Sequence, residues 1–400
     1  MTILQLTNRI PYPLNDGGNI GVMYYTKGFL DAGIRLSMLA MNTSRHYIDP
    51  ESLPEIFDRL EHFVTVPVNN DIRPLDALKN LIKGKSYNIQ RFISPEVKQA
   101  LIQLLKQNNF DIVQLEGLYL TAYIPIIRQY SKAKISIRQH NVEFRIWERL
   151  AAGNRGLKKW YLTQLAKQLK QYELQHLNDY DLILAISKQE EMTFKELGAR
   201  IPIMVHPFGI AVKKIPFQPS WQPPLSVYHI GAMDWLPNQQ SVNWLLEKVW
   251  PQVVKVVPEA RLFLAGRNMP PFYRQRKWPQ VEVVGEVPDA ASFESDKSIL
   301  VVPLLSGGGV RIKIFQGMAM GKAVVTTTIG LEGIEAEGGK EVLVADQAGD
   351  FAQEIIYLLQ HPDKIKQIGT AARELMNTYY DQEKLIAKLL KTYSQILLDS

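Results

Sequence analysis

Between residues 298 and 327 an apolar run, three glycines, a helical stretch and a second apolar run follow one another without interruption. The stretch reads Pro303-Leu304-Leu305-Ser306-Gly307-Gly308-Gly309-Val310-Arg311-Ile312-Lys313-Ile314-Phe315-Gln316-Gly317-Met318-Ala319-Met320-Gly321-Lys322-Ala323-Val324-Val325-Thr326-Thr327. A strand that feeds a helix and returns as a strand builds a parallel sheet covered by helices. The glycines let the backbone come close to an anion, and the first turn of the following helix offers N–H groups without intrahelical partners. Arg311 and Lys313 stand at the same helix start. Cations are unfavourable against the positive end of a helix dipole unless an anion lies between. The string therefore predicts a diphosphate site; the ordinary alternative is a glycine turn carrying two solvated cations.

The same alternation runs through the whole chain. Short apolar runs stand at 2–8, 34–41, 62–68, 111–116, 134–139, 181–187 and 202–206, with helical stretches at 18–32, 95–108 and 157–178. The second half predicts strands at 226–231, 260–266, 281–284, 298–303, 323–327 and 342–345. Helices are expected there at 239–255, 310–320, 349–360 and 362–377, and a strong helical pattern covers 382–398. Proline-rich breaks at 207–209 and 216–224 place a linker between the halves. The chain thus divides into domains at 1–210 and 211–380 and a terminal helical segment at 381–400. Its 400 residues exceed one compact domain, and its 46% apolar content suffices for two cores.

The chain has no cysteine, which excludes disulfides and thiolate metal sites. The start reads as a strand, not a signal peptide, and no apolar run approaches the ~20 residues that span a bilayer. A cytoplasmic location is expected. Residues 1–210 hold 26 Lys+Arg against 20 Asp+Glu, and residues 211–400 hold 20 against 20, so the first half carries the net charge of +6. Lys79, Lys83, Lys85 and Arg91 form one basic cluster. A second, Arg155, Lys158, Lys159, Lys167 and Lys170, is interleaved with Leu157, Trp160, Tyr161, Leu162, Leu165 and Leu169. This predicts a helix with apolar and basic faces, which either packs on a core with a solvated basic face or lies on an anionic membrane. No nucleic-acid motif accompanies the charge, so nucleic acid is not an expected partner.

Ligands of parallel sheets sit at the carboxyl ends of strands. After the first strand, Gly17-Gly18 opens a helix whose N–H groups face either an anion or only a tight turn. No G-x-G-x-x-G is present, which argues against a nicotinamide site. The fifth strand ends at Arg138-Gln139-His140-Asn141, placing His140 among polar neighbours at a strand end. In the second half, Gly231 ends a strand and Asn238 is expected to cap the following helix. Gly266-Arg267-Asn268 and Gly285-Glu286-Val287 end two further strands.

The string Gly307-Gly308-Gly309, Arg311, Lys313, Ala319, Gly321 and Val324-Val325-Thr326 resembles the donor-binding signature of family 4 glycosyltransferases. That resemblance implies a GT-B fold: two Rossmann-like α/β domains with parallel sheets facing across a cleft. The first domain would bind the acceptor and the second the nucleotide sugar, and the last helix would return to the first domain. It implies a retaining hexosyl- or deoxyhexosyl-type transfer from a nucleoside diphosphate sugar to a glycan or lipid-linked acceptor, with no metal and no cofactor. His140 would contact the transferred sugar, and Arg311 and Lys313 would clamp the diphosphate. Gly17, Gly18, Gly231, Arg267, Val287, Gly307, Gly308, Gly309 and Gln316 would line the donor site. Arg267 would either stack on the base or remain a plain surface cation. The family commonly carries two glutamates with seven residues between them; Gly308 and Gln316 occupy those positions here. The neutral Gln316 amide accepts a sugar hydroxyl more weakly than a carboxylate. That departure keeps open a non-catalytic sugar-nucleotide-binding scaffold, and a nucleotide-sugar epimerase or hydrolase of the same fold is a further alternative. The biological setting implied is polysaccharide or cell-envelope synthesis, in the cytoplasm or peripherally at the inner face of the membrane.

Overall fold

The computed structural model describes residues 1–14, 17–139, 142–218, 226–307 and 310–398. The chain folds into two compact units, Met1–Phe208 with Glu383–Ser400, and Gly209–Gln382. Each is built on one parallel sheet.

The first unit has seven strands: β1 (Thr2–Thr7), β2 (Arg35–Thr43), β3 (His62–Val68), β4 (Ile112–Glu116), β5 (Lys134–Gln139), β6 (Leu182–Ala185) and β7 (Ile203–Val205). Their order is β3-β2-β1-β4-β5-β6-β7. The second unit has six: β8 (Ser226–Ile230), β9 (Arg261–Ala265), β10 (Val281–Gly285), β11 (Ile299–Val302), β12 (Ala323–Thr326) and β13 (Leu343–Val344), ordered β10-β9-β8-β11-β12-β13. The central strands are buried on both faces: Ile3, Leu4, Ile299, Leu300, Val301 and Val302 are fully enclosed. This is why they read as continuous apolar runs rather than alternating ones. In each sheet the strand order reverses once, between β1 and β4 and between β8 and β11. At such a switch point the two adjoining connections leave for opposite faces and open a crevice beyond the carboxyl ends.

The terminal helix Gln382–Leu398 packs within the first unit. Leu385, Ile386, Leu389 and Tyr393 join a core with Ile3, Phe29, Leu36 and Met38. The Tyr393 hydroxyl donates to Gln114 Oε1 at 2.7 Å. His206 Nε2–H donates to the Leu385 carbonyl at 3.1 Å, so its Nδ1 accepts from the Tyr25 hydroxyl at 2.6 Å. Burial holds this imidazole neutral, with its pKa pulled down to about 4.

The expected helix at 239–255 is one helical run in three parts, Leu236–Trp244, a wide π turn at Leu245–Val249, and Trp250–Val256. Pro251 lacks an N–H and its ring crowds the carbonyl four residues back; the wide turn accommodates both. Within the 216–224 stretch, residues 219–224 lie outside the described residues. Up to Gln218 it is strapped to the second unit: Gln218 N–H donates to the Met320 carbonyl at 3.0 Å, and the Phe217 ring fills the space a side chain at Gly321 would need. The helix Gly156–His176 does not keep separate apolar and basic faces throughout. Leu162, Leu165 and Leu169 are buried, but in its first turns Leu157 and Trp160 stay exposed beside Lys158 and Lys159. Among the described residues no helix is long and apolar enough to cross a membrane.

Candidate functional site

The loops that leave β8, β9 and β11 meet at the switch point of the second sheet. Gly231 N–H donates to the Ala265 carbonyl at 3.1 Å, and Gly266 N–H donates to the Gly285 carbonyl at 2.7 Å. A Cβ on Gly266 would stand 1.8 Å from the Gly231 carbonyl oxygen, so these two loops touch backbone to backbone. Gly307 has φ +103°, and a Cβ there would meet the Trp235 ring at 2.8 Å. The glycine turn after β11 is therefore pressed onto the loop after β8. Ser306 Oγ donates to Gln240 Oε1 at 2.9 Å and fastens the two further. Gly308 and Gly309 lie outside the described residues.

The helix Ile312–Met320 begins immediately beyond, with Arg311 in the capping position. Arg311 is 4% exposed, and its guanidinium donates to the Gly307 carbonyl at 3.0 Å and the Ile329 carbonyl at 3.3 Å. It braces the glycine turn from beneath. Burial lowers its pKa, and Glu332 partly offsets this. Its Nε has no hydrogen-bond partner among the described residues.

Lys313 sits two residues on, with part of its stem exposed and its ammonium desolvated. Nζ donates to Asn238 Oδ1 at 3.2 Å, while Asn238 Nδ2 donates to the Ala232 carbonyl at 2.8 Å. Asn238 is thus not a cap. The cap of the Leu236–Trp244 helix is Trp235, and Asn238 lies within the helix, 3% exposed, orienting Lys313. The reason is that Lys313 supplies a donor 75 residues away that a reading of local sequence does not see. Burial and the neighbouring Arg311 charge pull the Lys313 pKa down to about 7. Gln316 is exposed at i+3 from Lys313, on the same helix face.

Two buried groups below this surface were not singled out from the sequence. His229 Nδ1–H donates to the Val301 carbonyl at 2.9 Å, and burial, with Lys313 next in size, lowers its pKa to about 3. Glu294 is 2% exposed, and burial raises its carboxyl to about 7 despite the pull of Lys322 and Lys313. Neither residue follows a glycine turn or stands at a helix start, so nothing local marks them. Arg311 and Lys313 are thus both withdrawn from bulk water, with the Glu332 charge acting on the first and the Glu294 charge on the second.

The remaining expected residues of this unit sit further out. Arg267 lies at the surface with its guanidinium 3.4 Å from the Asp234 carboxylate, which also accepts from Asn268 Nδ2 at 3.0 Å. Val287 is half-buried after β10, the edge strand two places from β8.

In the first unit, Gly17 begins the helix Gly17–Asp31 with open space around it, and Gly18 is half-buried. Asn19 Nδ2 donates to the Pro13 carbonyl at 2.9 Å, closing the approach from β1. His140 lies outside the described residues. On its N-terminal side, Arg138 Nε donates to Glu116 Oε2 at 2.6 Å in a buried ion pair, and Gln5 Nε2 donates to Glu116 Oε1 at 2.7 Å. On its C-terminal side, Glu143 accepts from the Tyr119 hydroxyl at 3.2 Å, and burial raises its pKa to about 7. Glu173 accepts from the N–H groups of Glu143 and Phe144 at 3.3 and 3.2 Å, and burial raises it to about 8. Neither acid was singled out from the sequence: Glu143 opens the helix that follows β5, and Glu173 lies in mid-helix with no local signal. Among the described residues no three His, Asp or Glu side chains gather where they could hold a metal ion.

Residues 224–361, which contain the whole switch-point cluster, match the family model described as glycosyl transferases group 1. A curated relative, an uncharacterized 44.6 kDa protein in the cps region of Klebsiella pneumoniae, is 24% identical over 97% of this chain and 99% of its own. Among solved structures, sucrose-phosphate synthase from Thermosynechococcus elongatus superposes with a TM-score of 0.69 at 16% identity, covering 100% of both chains. Anabaena HepE in complex with UDP gives 0.67 at 14% identity over 99% of this chain and 100% of that one. TarM gives 0.65 at 13% identity over 98% of each. The fold is GT-B, two parallel-sheet α/β domains.

Proposed function

We propose that the chain is a glycosyltransferase that moves a sugar from a nucleoside diphosphate sugar to a hydroxyl of a glycan or lipid-linked acceptor. One observation carries this reading. The desolvated Lys313 ammonium and the Arg311 guanidinium stand together at a helix start, behind a glycine turn and beside the switch point. Two cations at the positive end of a helix are held there at a cost that a bound dianion removes. The UDP complex of HepE and the cps-region relative support the same reading.

In this reading the diphosphate lies against Gly307–Gly309 and the free N–H groups of the Ile312–Met320 helix. Lys313 pairs with a phosphate oxygen, and Arg311 holds the turn in shape while adding its charge. The bond between the anomeric carbon and the diphosphate oxygen breaks as the bond to the acceptor oxygen forms. The acceptor's proton passes to the leaving diphosphate, and the anomeric configuration is retained. The protein stabilises the charge that grows on the leaving group, which is the role a metal would otherwise fill. His140 contacts the transferred hexosyl or deoxyhexosyl group, and Gln316, on the Lys313 face, meets the nucleotide's sugar with a neutral amide. The enzyme works in the cytoplasm or at the inner face of the cell membrane, in polysaccharide or envelope synthesis.

The test is calorimetry. Arg311→Ala and Lys313→Ala should each weaken nucleoside diphosphate binding by roughly 1.5–3 kcal/mol, the worth of a charge-assisted hydrogen bond. Unchanged affinity in both variants refutes the reading. Gly308 and Gln316 in place of the family's glutamates favour one rival, a sugar-nucleotide-binding scaffold. It predicts the same binding losses but no sugar release or transfer by the wild-type chain.

A further inference from the structure

The helices Glu143–Ala152 and Gly156–His176 form a hairpin in the first unit. Its inner side is packed: Ala151, Leu162 and Leu165 are buried with Tyr87, and Trp147 and Tyr161 lean on them. Its tip is not. Leu157 is 87% exposed, Trp160 55% and Leu150 48%. Residues 156–160 are exposed at every position, so this turn has no buried side at all. A helix turn buried by nothing in its own domain has no folding reason to carry leucine and tryptophan.

The charges around these apolar groups are one-sided. Residues 146–160 hold Arg149, Arg155, Lys158 and Lys159 against a single acid, Glu148. All four cations are exposed, and none is ion-paired among the described residues. A second element lies beside the hairpin. The helix Pro74–Ile82 is tied to the same hairpin by Gln168 Nε2, which donates to the Leu81 carbonyl at 3.0 Å. At that helix's end Ile82 is 79% exposed, next to the exposed Lys79, Lys83 and Lys85.

From this placement we propose that the hairpin tip docks on an anionic lipid bilayer. Leu150, Leu157 and Trp160 enter the boundary between headgroups and acyl chains, and Arg149, Arg155, Lys158 and Lys159 meet the lipid phosphates. Tryptophan is suited to that boundary because its ring is apolar and its N–H still finds a partner there. Lysine and arginine stems lie along the apolar layer while their heads stay among phosphates. Charge complementarity selects anionic lipid: four unpaired cations on a short projecting tip match a continuous negative surface, and apolar groups between them gain only where hydrocarbon is within reach. The docking surface is this one hairpin of the basic first half, and it uses none of the groups at the switch point.

The test uses the full chain and vesicles of phosphatidylcholine with or without phosphatidylglycerol. The chain should sediment with the phosphatidylglycerol vesicles, be released by high salt, and show a blue shift of tryptophan emission that is lost in Trp160→Phe. Leu157→Ser with Trp160→Ser, and separately Lys158→Glu with Lys159→Glu, should each lower vesicle binding by about tenfold or more. Because these side chains are exposed, melting temperature and nucleoside diphosphate affinity should not change in either variant. Equal sedimentation with both vesicle types overturns the proposal, as does undiminished binding by both double variants. Self-association without vesicles that Leu157→Ser with Trp160→Ser abolishes assigns the tip to a second copy of the chain, and also overturns it.

Discussion

The Lys313 ammonium makes the proposed diphosphate site sensitive to pH in a direction that can be worked out. In the free protein, burial and the Arg311 charge lower its pKa to about 7. A phosphate oxygen at hydrogen-bond distance restores the charged form, and a full restoration returns it to the ordinary lysine value of ~10.4. Binding then takes up a proton wherever the free lysine is neutral. At pH 8 the free group is roughly one-tenth charged and the bound group fully so, giving an uptake of about 0.9 proton. Between pH 7 and pH 9 the affinity should fall between about tenfold and a hundredfold, on the order of 2 kcal/mol at about 1.36 kcal/mol per pKa unit. The nucleotide does not blur this window, because its terminal phosphate titrates near pH ~6. Calorimetry at pH 8 in buffers of different ionisation heat reads the proton count directly, and titrations at pH 7, 8 and 9 read the affinity. Lys313→Arg should flatten the profile, since guanidinium stays charged throughout. A wild-type affinity that moves less than about threefold over this range, with no buffer-dependent heat, refutes the idea that an anion is what Lys313 awaits.

The same lysine carries a stability consequence of known sign. Its folded pKa is depressed, so the unfolded chain binds more protons between pH 7 and about 10, and the free protein should gain stability as pH rises through that window; a Lys313→Met variant monitored by thermal melts should lose this rise and melt higher than wild type at pH 7. Gly266→Ala should destabilise the second unit by about 3 kcal/mol or more, because the new Cβ would sit 1.8 Å from the Gly231 carbonyl oxygen and backbone cannot step aside cheaply; urea unfolding measures it, and a loss under about 1 kcal/mol contradicts the close approach. Gln316→Glu should shift the UDP-to-dTDP affinity ratio toward the ribonucleotide by about 1 kcal/mol if one charge-assisted bond is gained; a ratio that does not move removes Gln316 from the sugar. Glu116→Gln should destabilise the first unit by about 3–5 kcal/mol by breaking the buried ion pair with Arg138; a melting temperature equal to wild type would show that the pair is dispensable.

Local chemistry made much of this chain legible. The central strands of both sheets were readable as apolar runs, because strands buried on both faces need no polar alternation. The turn at Gly307 was readable because a φ of +103° is open to glycine and to little else. The terminal helix was readable from its period, and the Arg311–Lys313 pair from its conflict with the helix dipole. The sequence by itself thus determined which segments become strands and helices and which cations stand at a helix start, since both follow from neighbours within a few residues. Only the tertiary structure decided the strand order, and with it the switch point that brings the loops after β8, β9 and β11 together. It decided that Asn238 orients Lys313 across 75 residues instead of capping its own helix. It turned Arg311 down onto the carbonyls of Gly307 and Ile329, placed His229 and Glu294 beneath the cations, and left Leu157 and Trp160 outside every core. Each of these depends on which buried donor meets which acceptor, and on how much water remains beside a charge. Those are set by packing between segments distant in the chain, and no short stretch of sequence contains them.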